Sequence, residues 1–109
     1  MQFGNLPFMT TDWETVPATE HPGASGVAVW RTVLAGDLRV RMVEYSPGYL
    51  ADPWCSRGHV LLVLQGELVI ELQDGRVVRL TSGMSYQVAN DAMPHRSGTQ
   101  TGAKLFVVD

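Results

Sequence analysis

The sequence lacks the features that would place a protein in a membrane or in an oxidising compartment. Its 109 residues include one cysteine, which cannot form a disulfide within the chain. No apolar stretch approaches the roughly 20 residues that a transmembrane helix needs. The first residues, MQFGNLPFMTTDW, lack the basic segment and apolar run of a signal peptide. These absences predict a cytoplasmic protein that is not inserted in a membrane.

The chain also lacks a surplus of positive charge. Its 8 Lys and Arg residues are outnumbered by 11 Asp and Glu residues, which gives a net charge of −3 at pH 7. The basic residues form no run, whereas binding to nucleic-acid phosphates requires a clustered basic surface. We therefore expect no nucleic-acid partner.

Long helical patterns are absent as well, and short apolar runs take their place. Apolar residues do not recur at three-to-four spacing, and 11 Gly and 6 Pro interrupt the chain. Runs rich in Val, Leu, Ile and aromatic residues alternate with turn residues, which is typical of an all-β sandwich or barrel. The length suits one domain. We predict an irregular N-terminal arm at residues 1–26 that packs on a β-domain at residues 27–109.

Turn residues divide the β-domain into its predicted strands. The segments 27–34 and 38–45 form a hairpin, and residues 65–67 form a later turn. Asp74-Gly75 is the strongest hairpin signal, because both residues tolerate the positive φ of a two-residue turn. Other strands are predicted at residues 59–64, 68–73, 76–80, 85–89, 95–97 and 105–108.

The segment from Gly48 to Gly66 resembles the first motif of the cupin family. The resemblance rests on the spacing of these glycines with Pro53, Cys55 and His59 between them. In cupins the three intervening positions are usually His, His and Glu, and they ligate a metal. The resemblance implies a single-domain cupin β-barrel, which is a jelly-roll-like double-stranded β-helix.

The second cupin motif has a counterpart downstream. Gly75, Leu80 and Gly83 have its spacing, and it ends at His95, where the family has its fourth metal ligand. Of the four ligand positions, only His95 carries the usual residue. The chain also resembles a subgroup of one-domain cupins with an Asp, His, Cys and Trp signature, although the segment 52–55 reads Asp-Pro-Trp-Cys, without the His. Small cupins resemble one another in forming homodimers, which implies a homodimer here.

Cys55, His59 and His95 are the candidate metal ligands. Two residues four apart on a straight strand lie about 13 Å from each other, too far to share a metal. We therefore expect residues 56–58, which include a glycine, to bend the chain. If the barrel closes as in cupins, His95 completes a set of one thiolate and two imidazoles. This set suits a divalent metal such as Zn, Fe or Cu, with Ni and Mn left open, although Pro53 cannot contribute a ligand.

Four further side chains are expected at the mouth of the barrel, namely Tyr49, Trp54, Tyr86 and Arg96. They could line a small-molecule pocket or serve as ordinary packing and surface charge, and Arg96 could bind a carboxylate through two hydrogen bonds. Two functions stay open, and no catalytic residue is assigned. One is a metal-dependent small-molecule enzyme, and the other is a non-catalytic small-ligand binding or sensor module with a degenerate metal site.

Overall fold

The computed structural model describes residues 3–109, and almost all of its regular structure is β-strand. One 3₁₀ turn, Trp13–Thr15, precedes the strands. The strands are β1 (Ala18–Pro22), β2 (Val27–Ala35), β3 (Leu38–Tyr45), β4 (His59–Leu72), β5 (Val77–Thr81), β6 (Ser85–Val88), β7 (His95–Gly98) and β8 (Ala103–Val108). The predicted all-β class is confirmed. No helix within residues 3–109 is long and apolar enough to span a membrane.

The strands form two antiparallel sheets that share β4. In the larger sheet the order is β1-β2-β3-β8-β4, and β6 pairs with the first half of β4. The second half of β4 pairs with β5 on one side and β7 on the other. Because β4 belongs to both sheets, it joins them into one barrel.

The long strand β4 replaces two shorter strands and the turn predicted at residues 65–67. That predicted turn is wrong, because pairing with β8 continues across it, from Val63↔Leu105 to Gly66↔Ala103. The register shifts between Val63 and Gln65, and Gly66 has a φ of 79°. The glycine therefore marks a β-bulge that bends the strand, a use of glycine that resembles a turn in sequence.

The hairpin predicted at Asp74-Gly75 is present between β4 and β5, but its loop is longer than two residues. The Leu72 amide donates to the Arg76 carbonyl at 2.8 Å, so residues 73–75 form the loop. Gly75 has a φ of 95°, whereas Asp74 accepts a hydrogen bond from the Arg76 amide at 3.0 Å through its side chain. Asp74 therefore stabilises the turn through its carboxylate.

The apolar core lies between the two sheets and stops short of one end of the barrel. Val63, Leu68 and Leu105 are its largest fully buried side chains. Side chains two apart on a strand share a face, so His59 points to the same side of β4 as Val63. A polar layer that includes His59 therefore caps this core at one end of the barrel.

The N-terminal arm is more regular than expected, because part of it forms the edge strand β1. Arg31 of β2 fixes the preceding segment by donating from Nη1 to the carbonyls of Trp13 at 3.1 Å and Val16 at 2.6 Å. The Trp13 ring meets Phe106 edge-on, with ring centroids 6.3 Å apart. Residues 1 and 2 of the predicted arm lie outside the described residues.

Candidate functional site

Cys55 and His95 are held side by side by the main chain. The Cys55 amide donates to the His95 carbonyl at 2.7 Å, and the His95 amide donates to the Cys55 carbonyl at 2.9 Å. Residues that exchange two such bonds are direct cross-strand neighbours, so their side chains project from the same side of the sheet. This bridge explains why a loop cysteine lies next to the first residue of β7.

His59 reaches the same place because the chain changes direction after Cys55. Gly58 packs against the main chain of Ala89 and Asn90, where a Cβ would collide with backbone atoms. Its amide donates to the side-chain oxygen of Asn90 at 2.6 Å. The glycine in residues 56–58 thus allows a close backbone approach, and β4 then starts with its first side chain directed into the barrel.

The three candidate ligands converge. One ligand atom from each of Cys55, His59 and His95 lies within 4.8 Å of the other two. The Nε2 atoms of the two histidines are 2.9 Å apart. A straight strand would separate residues 55 and 59 by about 13 Å, so the observed proximity depends on the bend between them.

In each imidazole the Nδ1 atom contacts an acceptor, and this leaves the lone pair on Nε2 directed at the Nε2 atom of the other ring. His95 Nδ1 lies 2.8 Å from the Met93 carbonyl oxygen, which can only accept, so Nδ1 carries the proton. His59 Nδ1 faces a carboxylate oxygen of Asp109 at 3.4 Å. Both Nε2 atoms are then unprotonated in the neutral rings. Burial, and next the repulsion from His95, lower the pKa of His59, which disfavours a proton between the rings.

This donor set fits a metal ion. Two metal–nitrogen bonds of about 2.1 Å place their nitrogens about 3.0 Å apart at the right angle of an octahedral ion and about 3.4 Å apart at the tetrahedral angle of Zn²⁺, and the facing Nε2 atoms are 2.9 Å apart. A cation at this point would satisfy both lone pairs, and the Cys55 sulfur is near enough to join them. Second hydrogen bonds from the opposite ring nitrogens are typical of metal-bound histidines.

Two phenols next to the imidazoles are held in the protonated form. Burial, and then the proximity of Tyr45, raise the pKa of Tyr86 far above its ordinary value, and burial does the same for Tyr45. The Tyr86 hydroxyl is 2.9 Å from His59 Nε2. Because both phenols stay neutral, they act as hydrogen-bond donors and not as bases at physiological pH.

A cavity of about 210 Å³ opens beside the three candidate ligands. It lies inside the barrel and is continuous with the mouth. Its lining includes the three ligands together with Trp30, Arg39, Arg41, Val43, Tyr45, Tyr49, Ala51, Asp52, Pro53, Arg57, Leu61, Tyr86, Ser97, Val107 and Asp109.

Of the four predicted pocket residues, the structure brings two to this cavity. Tyr49 and Tyr86 line it. Trp54 is 42% exposed, and the guanidinium of Arg96 lies over its ring at 5.2 Å from the centroid. Arg96 also pairs with Glu71 at 3.1 Å. Because side chains alternate along β7, Arg96 faces away from the side that His95 occupies, so it does not face the cavity as expected.

Several charged residues of the site were missed from the sequence. Arg39, Arg41 and Arg57 line the cavity with Asp109, and we call these three arginines the arginine cluster. In β3 the positions 38, 40 and 42 are all apolar, so they resemble the inward face more than 39 and 41 do. The one available signal was the Arg-x-Arg pattern, which places two cations on one face of a strand.

Comparisons with known proteins identify the fold. No protein-family model and no curated sequence matches the chain. An RmlC-like cupin from Shewanella frigidimarina superimposes with a TM-score of 0.74 at 18% identity, over 95% of this chain and 91% of that one. Ectoine synthase from P. lautus gives a TM-score of 0.76 at 14% identity, over 93% and 76% of the two chains. Fe(II)-HppE gives 0.75 at 18% identity, over 94% and 60%. The chain therefore has the cupin fold that the sequence predicted.

Proposed function

We propose that this cupin binds one divalent metal ion through Cys55, His59 and His95 and holds a small molecule in the adjoining cavity. The observation that carries the proposal is the pair of facing Nε2 atoms, 2.9 Å apart, with each opposite ring nitrogen bonded to an acceptor. The Tyr86 hydroxyl donates to His59 Nε2, whereas among the described residues the lone pair of His95 Nε2 faces only that nitrogen, so a cation between the rings would satisfy it. The Cys55 thiol adds a third donor within 4.8 Å.

The donor types bear on which metal is bound. One sulfur and two imidazole nitrogens favour Zn²⁺, Fe²⁺ or Cu over the hard cations that prefer oxygen, and Ni and Mn are further candidates. When bound, such an ion would polarise an oxygen atom of a ligand in the cavity. The Fe(II) state of the HppE neighbour is compatible with this set, but it is a property of that protein.

The position of Pro53 bears on whether the site is open. Proline offers no donor, so the ion has three protein ligands in place of the four usual in cupins. A divalent metal with three protein ligands keeps a position for water or a ligand, which is typical of catalytic rather than structural sites. The tyrosines and the arginine cluster then surround the open position.

A second function is favoured because most ionisable groups around the candidate ligands are already engaged, and of the carboxylates among the described lining residues only that of the exposed Asp52 is not. The Asp109 carboxylate pairs with Arg39 and Arg41, and Tyr45 and Tyr86 are held protonated. General acid–base chemistry needs a group that exchanges protons near neutral pH. A protein that binds a small ligand without transforming it, as a carrier or sensor, is therefore the alternative.

Metal content tests the proposal directly. We expect about one Zn, Fe, Ni, Mn or Cu per chain in the purified protein or after incubation with the ion. Cys55→Ala, His59→Ala and His95→Ala should each lower the bound metal by about tenfold or more, because each removes a donor. Elemental analysis by mass spectrometry measures this loss.

His21→Ala is the matched control, because His21 stacks on Trp30 with ring centroids 3.7 Å apart and is not one of the converging ligands. It should retain the metal content of the unaltered protein. If the unaltered protein takes up no metal, or if His95→Ala takes up as much as His21→Ala, the metal site is wrong.

A further inference from the structure

Two arginines occupy inward-facing positions at the open end of the barrel. Arg39 and Arg41 stand two apart on β3, on the same face as the core residue Val43. A guanidinium is costly to bury, so an inward position needs a counter-charge or a ligand. Such a position would ordinarily hold an apolar side chain.

One carboxylate serves all three members of the arginine cluster. Asp109 accepts two hydrogen bonds from Arg39, at 2.7 and 3.0 Å, and one from Arg41 at 3.0 Å. Arg57 Nη1 lies 3.8 Å from the same carboxylate. Among the side chains that line the cavity, three guanidinium groups face two carboxylates, those of Asp109 and the exposed Asp52, which leaves a positive excess on this wall.

Arg41 is the most deeply buried of the three. It is 7% exposed, and its Nε is buried without a hydrogen-bond partner. Its guanidinium lies 4.3 Å from the centroid of the Trp30 ring. Burial, and then the charge of Arg39, lower the pKa of Arg41.

The hydrogen bond to Asp109 does not by itself account for the position of Arg41. Arg39 alone engages both oxygens of Asp109, so Arg41 is not needed to hold that carboxylate in place. Arg41 and His59 also contact the same oxygen, Asp109 Oδ2, at 3.0 and 3.4 Å. The positive charge of Arg41 is therefore separated from the candidate ligand His59 by a single carboxylate group.

We propose that the cavity binds a small organic carboxylate, whose carboxylate group pairs with Arg41 while Arg57 approaches it from the mouth. Guanidinium groups match planar carboxylates through paired hydrogen bonds. The 210 Å³ of the cavity is the space of about seven water molecules, which suits a compound of a few carbon atoms. This inference rests on the proposed function for the second contact, in which another oxygen of the ligand reaches the metal.

Calorimetric titration with malonate tests the inference. The protein is used both loaded with Zn²⁺ and freed of metal by chelation and desalting, in a buffer without carboxylate or phosphate. We expect malonate to bind both forms, and its neutral analogue malonamide to bind at least about tenfold more weakly. Arg41→Gln should weaken malonate binding by at least about tenfold, and Arg41→Lys by less, because it keeps the charge but loses the planar pair of donors.

Two further variants keep the result interpretable. Arg57→Gln alters an exposed side chain and should weaken malonate binding even if Arg41→Gln proves unstable. Arg79→Gln is the matched control, because Arg79 pairs with Glu67 and is not part of the cavity lining. It should bind malonate as the unaltered protein does.

The outcomes separate this inference from the metal proposal. Equal malonate binding by the unaltered protein, Arg41→Gln and Arg57→Gln would overturn the carboxylate site, whatever the metal content. Tighter binding of inorganic phosphate than of malonate would overturn the carboxylate assignment. Loss of metal binding alone, with Arg41-dependent malonate binding kept in the metal-free protein, would refute the metal site and support the carboxylate site.

Discussion

At the scale of single residues, Asp109 contacts both the arginine cluster and a candidate metal ligand. Burial alone would raise the pKa of Asp109, but hydrogen bonds from Arg39 and the charges of Arg41 and Arg39 hold it below its ordinary value. The side chain is therefore ionised at neutral pH. An ionised carboxylate behind His59 fixes the ring orientation and increases the basicity of the opposite nitrogen.

Removing this charge should weaken the metal site without removing a ligand. We expect Asp109→Asn to reduce Zn²⁺ affinity by about 10- to 100-fold, the usual effect of losing a partner of a metal-bound histidine. Competition with a fluorescent chelator measures the affinity. Glu71→Gln is the control, since Glu71 pairs with Arg96 away from the cavity, and equal affinities in the two variants would contradict the role of Asp109.

The sequence predicted some of these residues and could not predict others. Cys55, His59 and His95 follow from the family spacing, because ligand positions recur at fixed places along the motif. Arg39 and Arg41 do not, because alternation shows which residues share a face but not which face points inward. Only the closed barrel shows that the charged face of β3 lines the cavity.

At the scale of elements, the bulge in β4 lets one strand serve two sheets. A Cβ at Gly66 would collide with the carbonyl of Gly102, and its φ of 79° disfavours other residues. Gly75, with a φ of 95°, has open space around it. Both glycines therefore have a positive φ, but only Gly66 is also closely packed against another segment of backbone.

This difference gives a matched pair of variants. Gly75→Ala should lower the free energy of unfolding by about 1 kcal/mol, the cost of a positive φ alone. Gly66→Ala should lower it by about 3 kcal/mol or more, because the backbone of β4 and the Gly102 loop must also separate. Urea denaturation measures both, and equal losses would contradict the close approach at Gly66.

The position of a strand could be predicted from the sequence where a turn lies at each end of it. The segment 38–45 is β3 as expected, because residues 36–37 and 46–48 end it with glycine, proline and polar residues. The sequence could not show that residues 59–72 form one continuous strand, because a glycine at a β-bulge cannot be distinguished from a glycine in a turn by sequence alone. Pairing with β8, which lies about forty residues later in the chain, decides between them.

At the scale of the whole molecule, apolar side chains of the arm and its neighbourhood remain uncovered. Phe8 is 96% exposed and Leu34 is 74% exposed. Gly36 lies against the carbonyl of Asn5, so the arm passes over the turn that follows Leu34. The family resemblance implies a homodimer, and we propose that these side chains contribute to its interface.

We expect light scattering after gel filtration to give twice the 12.0 kDa mass of one chain at micromolar concentration. Phe8→Ser should weaken the dimer by about tenfold or more, because it removes the most exposed aromatic side chain. Val77→Ser on β5, where the valine is 65% exposed, is the control for lost surface apolarity. A monomer mass for the unaltered protein would exclude the dimer.

The main-chain bridge between Cys55 and His95 has a consequence for how such a site changes over evolution. The two hydrogen bonds hold the main chains of these residues together without the help of an ion. In zinc fingers, by contrast, the metal supplies the folding free energy, and a lost ligand means a lost fold. We therefore expect a barrel that positions these side chains from paired strands to keep its fold when one of them is replaced. Pro53, at a position where the resemblance implies a metal ligand, would then alter the donor set and leave the barrel unchanged.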